Sequence, residues 1–102
     1  MQKKKQYLKK YLIQEKRIKR LEEMILQNPK KQAVYTKEIE ACEMLKREID
    51  EKILMGDNDL LREVLFLKYT CGKSLTQVAE IISYSRRHTE RLHVSALEKF
   101  EL

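Results

Sequence analysis

Five polar side chains that could do chemistry, Arg86, Arg87, His88, Glu90 and Arg91, are clustered near the C-terminal end of the 102-residue chain. On a helix, where each residue turns by ~100° from the last, Arg87 and Arg91 share one face with Val94 and Glu98, and Thr89, Leu92, Ala96 and Phe100 form the opposite, apolar face. A helix that buries one side and presents two arginines a turn apart on the other can enter a DNA major groove, where a guanidinium donates in parallel to guanine O6 and N7. Arg87 and Arg91 are therefore the first candidates for base contact. Glu90 joins them with two readings open, as an acceptor for cytosine N4 or as the partner that holds Arg86 or Arg87 at helical spacing. Arg86 and His88 flank this face, and Ser85 opens the helix. Helix N-termini carry free N–H groups and a positive dipole end, so these three suit phosphate, as do Lys73 and Ser74 at the start of the preceding helix. His93 lies ~50° from the centre of the apolar face and is expected to be packed and hydrogen-bonded. Tyr69 and Tyr84 are expected at the edge of the core.

Other chemistries find little support. No Ser, His and carboxylate set has a credible geometry, so no catalytic residue is assigned and the chain is not expected to be an enzyme. His88 and His93 point ~140° apart on a helix, and Cys42 and Cys71 form no C-x-x-C pair, so neither a metal site nor a cofactor is expected. The two cysteines are expected to be reduced and buried as small hydrophobes.

The elements that must position these side chains are marked by the few residues that break helices. The chain has two Gly and one Pro, with 37% of its residues charged, a texture unsuited to an all-β sandwich or a Gly-rich phosphate loop. Tyr7, Tyr11, Gln14, Ile18, Leu21 and Ile25 repeat at alternating spacings of four and three, the narrow seam of a coiled-coil-like helix ended by Asn28 and Pro29. Tyr35, Ile39, Cys42, Leu45, Ile49 and Ile53 make a second stripe, with Gly56 as its C-cap. Asp57 and Asp59 are candidate N-caps for a helix through Leu60, Leu61, Val64, Leu65, Leu67 and Lys68 that Gly72 closes. Ser74 caps a short helix carrying Leu75, Val78, Ala79, Ile81 and Ile82. Ser83 and Tyr84 turn the chain, and Ser85 caps the last helix. The expected fold is all-α, with a basic antiparallel helical hairpin at 1–56 and a helix-turn-helix domain at 57–102.

The net charge of +6 is concentrated at one end, because residues 1–20 hold nine basic side chains against Glu15 alone. Such a stretch attracts polyanions. Lys3, Lys4, Lys5, Lys9 and Lys10 are expected to contact them without sequence preference. No apolar run is long enough for a membrane span and no signal-like segment follows the first lysines, so the expected location is the cytoplasm, away from membrane.

The stretches Arg62–Tyr69, Gly72–Ile82, Tyr84–His88 and Ala96–Phe100 together resemble region 4 of sigma-70 factors. They are more similar still to the small phage and prophage regulators of the ArpU and RinA late-transcription type, and the match runs without gaps over about residues 60–101. The resemblance implies that Leu75–Ile82 is the supporting helix and that the recognition helix starts at Arg86. It further implies promoter DNA as ligand, transcriptional activation as role and RNA polymerase as a second partner. Two positions depart from the family pattern, Ser83 where glycine is usual and Thr89 where a β-branched apolar residue is usual. The expected function is that of a sequence-specific regulator binding double-stranded DNA as a homodimer, with half-sites about one DNA turn apart. The alternative is an interaction or assembly module, bound to polymerase or serving as a phage packaging subunit, in which the hairpin is the working part.

Overall fold

The computed structural model describes residues 1–102 and contains five α-helices and no strand. They are α1 (Gln2–Gln27), α2 (Gln32–Leu54), α3 (Asp59–Leu65), α4 (Leu75–Ile82) and α5 (Arg86–Lys99). A 3-10 turn at Pro29–Lys31 joins the first two, and a π-helical turn at Phe66–Thr70 extends the third. The all-α class and the long paired helices at the N-terminus are as the sequence predicts.

The hairpin forms because two apolar stripes of similar length face each other across a short connection. Asn28 leaves helical geometry at φ −140°, and Pro29, which has no N–H to lose, starts the 3-10 turn. The pairing is antiparallel and in one register. Arg17 lies 3.6 Å from Glu38 and Lys46 lies 3.6 Å from Glu15. Lys46 and Lys52 sit over the rings of Tyr11 and Tyr7 at 5.1 and 4.9 Å. Near the hairpin turn, Ile18, Leu21 and Cys42 make a small core flanked by Tyr35 and Ile39.

At its other end the hairpin opens around the C-terminal helices. Leu8, Tyr11, Ile49 and Ile53 are buried in one cluster with Leu61, Leu65, Tyr69, Ala96, Leu97 and Phe100. The main core therefore straddles the boundary at residue 56. Leu8, absent from the predicted seam, is fully buried, while Tyr7 is only half-buried. A seam repeating every 3.5 residues describes a helix with one neighbour, and here α1 has two. Leu8 faces the second, and the Tyr7 ring lies 6.1 Å from that of Phe100. The ammonium of Lys4 completes the join by donating to the carbonyls of Leu97 and Glu98 at 2.9 and 3.0 Å, at the negative end of the α5 dipole. A third cluster, Val64, Leu67 and Val78, lies beneath α4.

Several boundaries differ from expectation for local reasons. Asn58, rather than Asp57 or Asp59, caps α3, its Oδ1 accepting from the Leu61 N–H at 3.0 Å. Gly56 is no left-handed cap, because the last turn of α2 ends at Met55 in ordinary helical geometry and the Gly56 carbonyl is engaged by the Arg62 guanidinium. Gly72 does adopt the left-handed conformation, at φ 72°, and a Cβ there would meet Leu12 of α1 at 3.4 Å. Its lack of a side chain thus serves the left-handed exit from the π-helical turn, while the contact with α1 at that distance would be an ordinary one. Cys42 is buried as expected, but Cys71, beside that exit, is exposed.

Candidate nucleic-acid interface

The helix-turn-helix is built by two serine caps and one strained residue. Ser74 accepts from the Gln77 N–H at 3.2 Å while Gln77 Oε1 accepts from the Ser74 N–H at 2.9 Å, a complete capping box at the start of α4. α4 ends at Ser83, whose φ of 63° is the only positive value at a non-glycine residue. The Tyr84 N–H then bonds back to the Ala79 carbonyl at 3.1 Å, closing the turn as a Schellman motif does. Ser85 caps α5 by accepting from the His88 N–H at 3.1 Å. Thr89 is fully buried and its hydroxyl donates to the Ser85 carbonyl at 2.8 Å. A hydrophobe at that position could not make this bond, which gives the threonine a physical reason.

α5 buries Thr89, His93, Ala96 and Leu97, and Phe100 beyond its last turn is buried as well. Leu97 and His93 move the centre of the buried face ~40° beyond the predicted one. The face opposite is the one expected, and Arg87, Arg91, Val94 and Glu98 are all exposed. Neither Arg87 nor Arg91 is in an ion pair or hydrogen bond. Both guanidiniums are free to bind a ligand.

The other candidates divide into engaged and free groups. Glu90 Oε1 lies 3.0 Å from Arg86 Nε, so of its two readings the structure contains the helix-spaced pair with Arg86. Arg86 also donates from Nη1 to Thr76 Oγ1 at 2.6 Å, tying the N-terminus of α5 to that of α4. His88 is exposed with its ring 4.9 Å from that of Tyr84, which is itself 44% exposed and not at the core edge. Ser74 and Ser85 use their oxygens as caps. Lys73 has an exposed side chain, and its backbone N–H is bound to the Leu67 carbonyl.

The N-terminal lysines are likewise unequal. Lys3 is exposed, Lys4 is bound to the end of α5, Lys5 is half-buried, and Lys10 lies over the Tyr7 ring at 5.9 Å. Lys9 projects toward the helix-turn-helix, where it shares a cleft with Lys68, Lys73, Ser74 and Gln77. Sequence reading did not single out Lys68. It stands in an apolar run, Phe66-Leu67-Lys68-Tyr69, and a charge in such a run is the one signal that could have found it. Burial, then the nearby ammoniums of Lys9 and Lys5 and the Arg86 guanidinium, lower its pKa.

Behind α5, the Tyr69 hydroxyl and His93 Nε2 share a buried hydrogen bond of 2.7 Å. Burial lowers the His93 pKa to about 4, with Lys68 and Lys5 adding to the effect, and raises that of Tyr69 to about 12. Both are neutral at pH 7, as befits a structural pair. No family model, curated protein or solved structure matches the chain. No helix is long and apolar enough to cross a membrane.

Proposed function

We propose that the chain is a sequence-specific double-stranded DNA-binding regulator, with α5 as its recognition helix. The observation that carries this reading is the free, exposed pair Arg87 and Arg91 on the face of α5 opposite its buried side. Two guanidiniums one turn apart on one exposed face of a capped helix can both reach base edges in the major groove. Arg86 and His88, with the caps Ser74 and Ser85 and Lys73, form the phosphate-facing surround. The resemblance to region 4 of sigma-70 factors and to the ArpU and RinA late-transcription regulators supports a role as an activator of phage type, acting in the cytoplasm on promoter DNA and contacting RNA polymerase.

Selection of bound sites from random duplexes by the full chain tests this. The expected result is an enriched motif. Arg87→Ala and Arg91→Ala should each relax preference at one base position at a cost of about 1–3 kcal/mol, with a smaller loss on random DNA. A bound pool no different from the input overturns the reading. The spacing of repeated half-sites in the motif tests the homodimer.

A second reading, as an interaction or assembly module, is favoured by the exposed apolar residues of the hairpin, notably Leu26 at 82% and Met44 at 67% exposure. Co-purification with polymerase or another phage protein, without any duplex binding at low salt, is the outcome that selects it.

A further inference from the structure

The cleft between α1, the π-helical turn and the start of α4 has a volume of about 390 Å3, and no acidic residue lines it. Three ammoniums reach it from three parts of the chain, Lys9 from α1, Lys68 from the π-helical turn and Lys73 from the loop before α4. None of the three belongs to any of the four ion pairs of the molecule. Lys5 and Arg86 stand near enough to Lys68 to act on its charge. The folded chain therefore gathers five like charges in and around one concave surface, and of the five only Arg86 has a carboxylate partner, Glu90.

Such an arrangement costs free energy in the unliganded protein, since like charges repel most where water is partly excluded. Packing nevertheless fixes the backbone on which it is mounted. Leu12 of α1 lies beside Gly72 at the exit of the turn, Lys68 lies 5.7 Å from the ring of Tyr69, and that ring is hydrogen-bonded to His93. An anion with several acceptor oxygens would relieve the repulsion and draw on donors already in place. The N–H groups of Leu75 and Thr76, which follow Ser74 in the first turn of α4, are left without a protein acceptor, because the capping box satisfies only those of Ser74 and Gln77.

We propose that this cleft is a phosphate seat, with Lys9, Lys68 and Lys73 as its principal ligands, and that it grips one phosphodiester of duplex DNA. The chemistry of the seat is independent of the preceding section, whereas DNA as the source of the phosphate rests on the function proposed there. The first helix is then part of the nucleic-acid surface, fixed beside the helix-turn-helix by the shared core, and the backbone runs from α1 across the start of α4 to α5.

Two arms on the full chain test the seat. In the first, lysine side-chain 13Cε signals are followed while inorganic pyrophosphate or a random-sequence duplex is added. The signals of Lys9, Lys68 and Lys73 should move with either ligand, and those of Lys30 and Lys31 in the hairpin turn should not move with pyrophosphate. In the second, Lys68→Gln and Lys9→Gln together should weaken random-duplex binding about tenfold near 0.1 M salt and reduce the salt slope by about one. Lys30→Gln with Lys31→Gln serves as the comparison and should leave both unchanged. Movement with pyrophosphate but no binding of any duplex keeps the seat, assigns it a free phosphoryl ligand and removes the proposed function. Duplex binding that leaves the three lysine signals in place, or equal losses from the two variant pairs, overturns the seat and leaves the function standing.

Discussion

Ser83 holds a left-handed backbone, at φ 63° and ψ 39°, in the turn that sets α5 against α4. An L-residue there gives up roughly 1–2 kcal/mol, part of which a glycine would lose again through the entropy of the unfolded chain. Ser83→Gly should therefore raise the urea midpoint by an amount equivalent to about 0.5–1 kcal/mol. Ser83→Val, with a β-branched side chain in the same conformation, should lower it. The Tyr69 and His93 pair carries the pH dependence at this scale. His93 is held near pKa 4 in the fold, below its ordinary value of 6.5. The unfolded chain thus takes up a proton first as pH falls. The stabilising contribution is complete above pH 6.5 and is lost between there and about pH 4, on the order of 3 kcal/mol at the limit. Denaturant titrations from pH 7 to 4 should show this loss, and His93→Phe should flatten the part that belongs to His93. The burial of His93 was legible in the sequence from its helical angle. Its partner was not, because a contact between residues 69 and 93 depends on how two helices cross.

At the scale of elements, what the sequence made legible follows from how local each cause is. Both stripes of the hairpin, the caps Ser74 and Ser85, the stop at Pro29 and the exposed face of Arg87 and Arg91 depend on spacing within one helix, and each is found where expected. The burial of Leu8 and Leu97 and the place of Lys68 in the cleft depend on a second element arriving from elsewhere in the chain, and spacing within one helix does not show them. Lys4 is the plainest case. As one of a run of three lysines it is expected to contact polyanions, yet it binds the carbonyls that α5 leaves open at its end. Lys4→Met should lower thermal stability by about 1 kcal/mol even at high salt, whereas Lys3→Met, at an exposed position, should change it little. The π-helical turn at Phe66–Thr70 is equally invisible in composition, and it sets the placement of both Lys68 and Tyr69.

At the scale of the whole molecule, the division into hairpin and helix-turn-helix describes the sequence better than it describes the packing. Leu8 and Tyr11 of α1 lie in the same core as Leu97 and Phe100. Leu8→Ala, at a fully buried site, should cost about 2–5 kcal/mol, and it should lower the stability of α5 as much as that of the hairpin. Hydrogen exchange of the α5 amides measures this, and unchanged protection there would show the two parts to be independent. Removing residues 1–20 to test the role of the basic segment would take out part of this core, so its charge is better tested by single substitutions. The bond from Lys4 to Leu97 and Glu98 spans 93 and 94 residues, almost the full length of the chain. Because α1 is made before α5, Leu8 stays uncovered until α5 has been synthesised and has docked. A chain interrupted anywhere before α5 keeps its cluster of lysines, lacks Arg87 and Arg91, and cannot complete the core that Leu97 and Phe100 close over Leu8.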